Sequence, residues 1–170
     1  MKNIVLVGFM GTGKTIVGRA LAEWLGMEFV ELDAEVEAEE GISIKEIFER
    51  YGEPYFRDLE TEIVKRFSQK EGLVISTGGG VVLREENMKA LREKGIIVCL
   101  WAEPETILER TSGNNERPLL NVDDPLNRIK ELLQQRRPFY ERADIMIKTD
   151  SKDLDTVVNE IIEKLKEKGL

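Results

Sequence analysis

Apolar residues follow two rhythms along this chain. Ile4-Val5-Leu6-Val7, Leu73-Val74-Ile75 and Ile96 to Trp101 are short continuous runs, the pattern of strands buried on both faces of a parallel sheet. Between them the apolar positions recur at helical spacing, as in Ile16, Val17, Ala20, Leu21 and Leu25, and again in Phe56, Leu59, Ile63, Val64 and Phe67. The alternation predicts strands at 4–7, 28–33, 73–77, 96–101 and 145–148. It predicts helices at 16–25, 34–40, 43–51, 55–70, 84–94, 105–111, 126–140 and 154–168. Repeated βαβ units imply an α/β fold with a five-stranded parallel sheet and helices on both faces. Ser43, with Glu46 three residues on, is a capping-box pattern for the helix that follows it. Two stretches stand outside the regular alternation. Residues 34–60 form an acidic helical insertion, and residues 112–125, with Gly, Asn, Asp and two prolines but no apolar periodicity, read as a loop or lid.

The 170 residues suit one domain, 1–170, and 41% hydrophobic content supplies its core. No stretch approaches the ~18 uncharged apolar residues of a membrane span. The chain enters its first strand directly after Met1-Lys2-Asn3, which leaves no room for a signal peptide, so a cytoplasmic location is expected. A net charge of −8 and the lack of any Lys/Arg-rich run argue against nucleic acid as a partner. Against that acidic background the arginines at 117, 136, 137 and 142 stand out. Histidine is absent, which removes histidine bases and histidine metal sites and leaves acid–base work to carboxylates. The single cysteine, Cys99, lies in an apolar run and reads as a small buried hydrophobe.

One segment carries specific chemistry. Gly8-Phe9-Met10-Gly11-Thr12-Gly13-Lys14-Thr15 matches G-x-x-x-x-G-K-[ST] at every fixed position, between a predicted strand and a predicted helix. Such a loop aims backbone N–H groups and the positive end of a helix dipole at one point. Gly11, Thr12, Gly13, Lys14, Thr15 and Ile16 are therefore candidates for nucleotide binding. Lys14 can reach the β- and γ-phosphates, and the Thr15 hydroxyl can ligate Mg²⁺. The loop says that a nucleotide binds without naming the acceptor.

Several further segments, in order along nearly the whole chain, resemble the shikimate kinase family of nucleoside-monophosphate-kinase-like P-loop proteins. They are Ile44-Lys45-Glu46-Ile47-Phe48 through Gly52-Glu53-Pro54-Tyr55-Phe56-Arg57, then Ser76-Thr77-Gly78-Gly79-Gly80, Arg117-Pro118-Leu119-Leu120 and Arg136-Arg137-Pro138-Phe139-Tyr140. The resemblance implies ATP-dependent phosphorylation of the 3-hydroxyl of shikimate, on the way to chorismate and the aromatic amino acids, by a monomer using Mg²⁺. It implies strand order 2-3-1-4-5, a substrate-binding insertion at 34–60 and a lid at 112–125. By the same resemblance Asp33, at the end of the second strand, would hold the reacting hydroxyl and accept its proton. Arg57 and Arg136 would bind the substrate carboxylate, and Gly78, Gly79 and Gly80 would line its pocket with Phe48 and Phe56. Arg117 would close on the transferring phosphoryl group, and Arg110 would pack against adenine near Thr149-Asp150-Ser151.

The chain departs from the family at its second strand, where D-x-D is usual and Glu31-Leu32-Asp33 stands here. Glu31 keeps the charge expected beside Mg²⁺ but adds a methylene, so a shifted water geometry around the ion is expected. A gluconate kinase is the nearest alternative reading, since gluconate also has a carboxylate and hydroxyls. A GTP-binding switch lacks its N-K-x-D motif here, and a non-catalytic nucleotide-binding module has only Glu31 in its favour.

Overall fold

A computed structural model describes residues 1–112 and 122–170. The five strands are β1 (Asn3–Val7), β2 (Glu28–Glu31), β3 (Leu73–Ser76), β4 (Gly95–Trp101) and β5 (Ile145–Lys148). All neighbours pair in parallel, in the order β2-β3-β1-β4-β5. The helices are α1 (Lys14–Leu25), α2 (Leu32–Glu40), α3 (Ile44–Tyr51), α4 (Glu53–Ser68), α5 (Glu85–Glu93), α6 (Pro104–Thr111), α7 (Pro125–Tyr140) and α8 (Leu154–Glu167), with a 3₁₀ turn at Val81–Leu83.

The expected three layers follow from strand alternation. Val5 and Val7 point to one face, where they pack with Ile75, Ile97 and Cys99 beneath Phe56, Ile63, Met88, Leu132 and Tyr140. Ile4 and Leu6 point to the other, with Val74, Val98 and Leu100 beneath Val17, Leu21, Ile161 and Leu165. β1 is buried at every position while β5 alternates, as expected of a centre and an edge strand. Cys99 is fully buried, and burial pushes its thiol up to about 12.

Three local details differ from the sequence expectations. The second strand stops at Glu31, because its pairing with β3 ends at Glu31 opposite Ser76; Asp33 therefore lies in the first turn of α2, not at the end of a strand. α4 begins at Glu53, not Tyr55, because Pro54 in a first helical turn loses no intrahelical hydrogen bond. Ile16 faces away from the core of α1 and is 64% exposed; the buried face is Val17, Gly18, Leu21 and Ala22. The capping pattern does form, with Ser43 Oγ accepting from the Glu46 backbone N–H at 3.1 Å.

Candidate active site

Every strand of a parallel sheet points its carboxyl end the same way, so the segments after β1, β2, β3 and β5 meet at one edge. The first is the glycine loop. Gly8 has φ +142°, and a Cβ there would lie 2.3 Å from the Leu100 carbonyl oxygen, so only glycine lets the loop leave β1 this close to β4. Thr12 Oγ1 donates to the Phe9 carbonyl at 2.7 Å, and the Lys14 ammonium donates to the carbonyls of Gly8 and Phe9 at 2.6 and 2.9 Å. Gly13 sits at the N-cap of α1 with no side chain covering the helix end. The loop thus presents the N-terminus of a twelve-residue helix to a cleft.

That cleft has a volume of about 630 Å³. Gly11, Thr12, Gly13, Lys14, Thr15 and Ile16 line it on one side. Glu31, Asp33, Gly78 and Gly79 line one end, and Arg110 and Thr149 the other. Arg110 ties loop to sheet: its guanidinium donates to the carbonyl of Gly11 at 3.1 Å and to the hydroxyl and carbonyl of Thr149 at 3.1 and 3.3 Å. Lys152, Leu154 and Val157 extend the same wall and were not singled out by sequence. Of these only their position after the last strand gave a clue.

At the acidic end, Thr15 Oγ1 donates to Glu31 Oε2 at 2.9 Å. The longer glutamate therefore reaches the hydroxyl beside which a magnesium ion would sit. A hydroxyl and a single carboxylate suit an ion held largely by phosphate oxygens and water. Among the described residues no cluster of three or more acidic or cysteine ligands exists that would hold a metal alone. Asp33 follows on the first turn of α2. Burial pushes its carboxyl up to about 6, with Lys14 and Arg57 pulling it down and Glu31 pushing it up.

Arg57 and Arg136 stand behind the triple glycine, not in the main cleft. Both are buried, Arg57 at 8% and Arg136 at 3% exposure. A Cβ on Gly80 would lie 2.4 Å from Arg57 Nη1, and one on Gly79 would lie 3.3 Å from Arg136 Nη1, so the glycines are what let two guanidinium groups approach the chain. Arg57 donates from Nε and Nη2 to Glu53 Oε2 at 3.2 and 3.1 Å, and from Nη1 to Glu60 Oε1 at 3.0 Å. Burial works against its charge, but Glu60 and Glu53 outweigh it and hold the guanidinium above the ordinary arginine value. Arg136 packs over the Phe9 ring at 5.5 Å, and its Nη1 has no hydrogen-bond partner among the described residues. Two buried arginines in reach of the same glycines can hold a carboxylate by paired N–H donors. Phe56 is buried in the core cluster and half-buried Phe48 packs against it, with ring centroids 5.1 Å apart.

Two residues here were missed by sequence. Glu60 lies three residues after Arg57 on one face of α4, a spacing that could have flagged it as a buried partner. Tyr140, one turn after Arg136 on α7, is fully buried and donates to the Gly79 carbonyl at 2.6 Å, which pins the middle glycine. Arg117 and most of the expected lid, residues 113–121, lie outside the described residues.

Strand order 2-3-1-4-5 with a G-x-x-x-x-G-K-T loop after the first strand defines a P-loop kinase fold. The model of the shikimate kinase family matches residues 10–166, and the chain belongs to that family. A shikimate kinase of Thermodesulfovibrio yellowstonii is 51% identical over 164 residues, covering 96% of this chain and 95% of that protein. Among solved structures, shikimate kinase from Acinetobacter baumannii in complex with shikimate superposes with a TM-score of 0.97 at 38% identity, covering all of this chain and 96% of the other. A gluconokinase from Sinorhizobium meliloti superposes with a TM-score of 0.62 at 22% identity over 98% of this chain and 92% of its own, a likeness of fold alone.

Proposed function

We propose that this chain transfers the γ-phosphoryl group of ATP to the 3-hydroxyl of shikimate, giving shikimate 3-phosphate and ADP. The observation that carries this reading is the pocket behind the triple glycine. Buried Arg57 and Arg136 would supply a carboxylate site, and the Asp33 carboxyl beside Gly78 feels the charges of both Lys14 and Arg57. An acid with ring hydroxyls fits such a pocket, with its carboxylate against the arginines and a hydroxyl toward Asp33. The family membership supports the same acceptor.

Gly11, Thr12, Gly13, Lys14, Thr15 and Ile16 would hold the nucleotide, with Arg110 at the adenine end. Lys14 would offset charge on the β- and γ-phosphates, and the hydroxyl oxygen would bond to the γ-phosphorus as the bond to the β-phosphate bridging oxygen breaks. Asp33 would orient the hydroxyl and take its proton, which a carboxyl raised to about 6 can do. Phosphoryl transfer through a loose transition state asks little of a base, so orientation is the larger part of that role. Thr15 and Glu31 would hold Mg²⁺, Glu31 through water, and the ion would supply charge stabilisation on the phosphates. Arg117 would add positive charge from the lid at 112–125, and residues 34–60 would form the acceptor-binding insertion. We take the enzyme to act as a monomer in the cytoplasm; no helix among the described residues is long and apolar enough to cross a membrane.

A coupled ADP-release assay with ATP, Mg²⁺ and a panel of shikimate, quinate and gluconate tests the reading. Turnover of shikimate well above the others is expected. Turnover of gluconate but not shikimate would overturn the acceptor assignment, and nucleotide binding without turnover of any acid would overturn the activity.

A further inference from the structure

The acceptor pocket already holds more buried negative charge than the reaction uses. Glu60 is 2% exposed. Its Oε1 accepts from Arg57, while Oε2 has no hydrogen-bond partner among the described residues. Gly78 brings this orphan oxygen close to a second carboxylate: a Cβ there would lie 2.9 Å from Glu60 Oε2 and 2.8 Å from Asp33 Oδ1. The other charged groups around Glu60 are Arg57 on its own helix and Arg136 from α7. Arg84, before α5, is taken by Asp58 and Thr61, and on α3 Glu46 pairs with Arg50. Glu53 already occupies one edge of Arg57. Of the five N–H donors of that guanidinium, three are engaged by Glu53 and Glu60, which leaves two for an incoming acid.

Binding an anionic acceptor here therefore adds a carboxylate to a pocket where Asp33 and Glu60, with the half-exposed Glu53 at its edge, already face two arginines. A buried site tolerates uncompensated charge poorly, and a carboxyl that can protonate relieves it. We infer that Glu60 takes up one proton from solvent as the acceptor's carboxylate binds, so that the pocket gains the substrate without gaining net negative charge. This rests on the assignment of the acceptor carboxylate to Arg57 and Arg136. The proton adds to Oε2, the oxygen without a partner. Oε1 continues to accept from Arg57, and Oε2 becomes a hydroxyl donor on the side of Asp33. Burial already pushes the Glu60 carboxyl up to about 7 against the pull of Arg57, with Asp33 pushing it further, so the proton is available near neutrality. An acceptor carboxylate on Arg57 weakens that pull and raises Glu60 again.

The sign follows from linkage. Above the free-pocket value Glu60 is ionised and must gain a proton on binding, so affinity falls as pH rises; below it the proton is already present and affinity is flat. Isothermal titration calorimetry of shikimate binding to the full chain without nucleotide, at pH 7.5 in phosphate and in Tris, measures the protons exchanged. An uptake of roughly half to one proton is expected for the wild type, and Glu60→Gln is expected to bind shikimate with uptake close to zero. No uptake in the wild type overturns the inference, as does uptake that survives in Glu60→Gln, which would place the proton on Asp33 or elsewhere. Should Glu60→Gln fail to fold, the wild-type Kd for shikimate decides alone. It should weaken by up to about tenfold per pH unit above pH 7, and a flat profile from pH 6.5 to 8.5 overturns the inference. Failure to bind shikimate at all overturns the acceptor assignment, and this inference with it; tight binding without proton exchange overturns only the role of Glu60.

Discussion

The nucleotide end of the cleft and the pocket behind it that we assign to the acceptor are built in opposite ways. The glycine loop is eight consecutive residues whose working parts are backbone N–H groups, a helix terminus and one lysine. The pocket proposed for the acceptor draws Asp33, Arg57, Glu60, Gly78, Gly79, Gly80, Arg136 and Tyr140 from α2, α4, the turn after β3 and α7, and its working parts would be side-chain charges. Backbone donors carry no net charge and need no counter-ion. Buried guanidinium groups do, and Glu53 and Glu60 supply it. A loop can thus bind phosphate as a local unit, whereas the acid pocket exists only when several elements pack together.

Substitutions can separate the two ends, and the largest effect is expected from the group assigned between them. Arg117→Ala should lower kcat by about 10³-fold or more while shikimate Kd changes little; a rise in Kd with kcat preserved would remove its place on the transferring phosphoryl. Arg136→Ala should act on the acceptor end alone, lowering kcat/KM for shikimate by about 10²-fold with the KM for ATP unchanged. Loss of ATP affinity instead would show that the two ends are not separate.

Two glycine-to-alanine changes sharpen the contrast. At Gly8 the obstacle is a backbone carbonyl 2.3 Å away and φ is +142°, so Gly8→Ala should lower the melting temperature, by about 5–10 °C. At Gly80 the obstacle is the Arg57 guanidinium at 2.4 Å, a side-chain end that can move. Gly80→Ala should therefore keep the fold and raise the shikimate KM about tenfold by displacing Arg57. Equal melting temperatures for the two variants would break the distinction.

The pH dependence belongs to the acceptor end. As pH falls through about 6, Asp33 of the free enzyme gains a proton and can no longer accept one, so kcat/KM for shikimate should fall on the acid side by about tenfold per pH unit. An acid limb centred near 4 would mean that burial does not raise Asp33. The smallest effect is expected at the metal-side contact. Glu31→Asp withdraws the carboxylate from Thr15 by one methylene and forfeits the 2.9 Å hydrogen bond. The Mg²⁺ concentration for half activity should rise about threefold, with shikimate affinity unchanged. An unaltered Mg²⁺ requirement would show that the extra methylene of this chain is without consequence.

The legibility of the two ends differs for the same reason as their construction. Lys14, Thr15 and the loop glycines were readable because strand, loop and helix are contiguous, and their spacing is the mechanism. Arg57 and Arg136 were readable only through resemblance; as isolated helical arginines they carry no mark of burial. Asp33 lines the cleft, but from the first turn of a helix and not from the end of a strand, because the end of β2 is set by its pairing to β3 and not by its own residues.

Apolar periodicity was enough for the strands and helices and their succession along the chain, and the G-x-x-x-x-G-K-T spacing for the glycine loop, since each depends on neighbours within a few residues. The order of the strands within the sheet came only from the resemblance. Only the tertiary structure decided that Arg57 and Arg136 are buried behind the triple glycine, and that Glu31 reaches Thr15. It alone brought Glu60 beside Asp33 and joined Tyr140 to Gly79. These are contacts between elements that packing brings together across 16 to 61 positions of chain, or, for Glu60, the face of a helix that the sheet turns inward. Burial, the property that moves the charges of this pocket, comes into being only when the layers close over it.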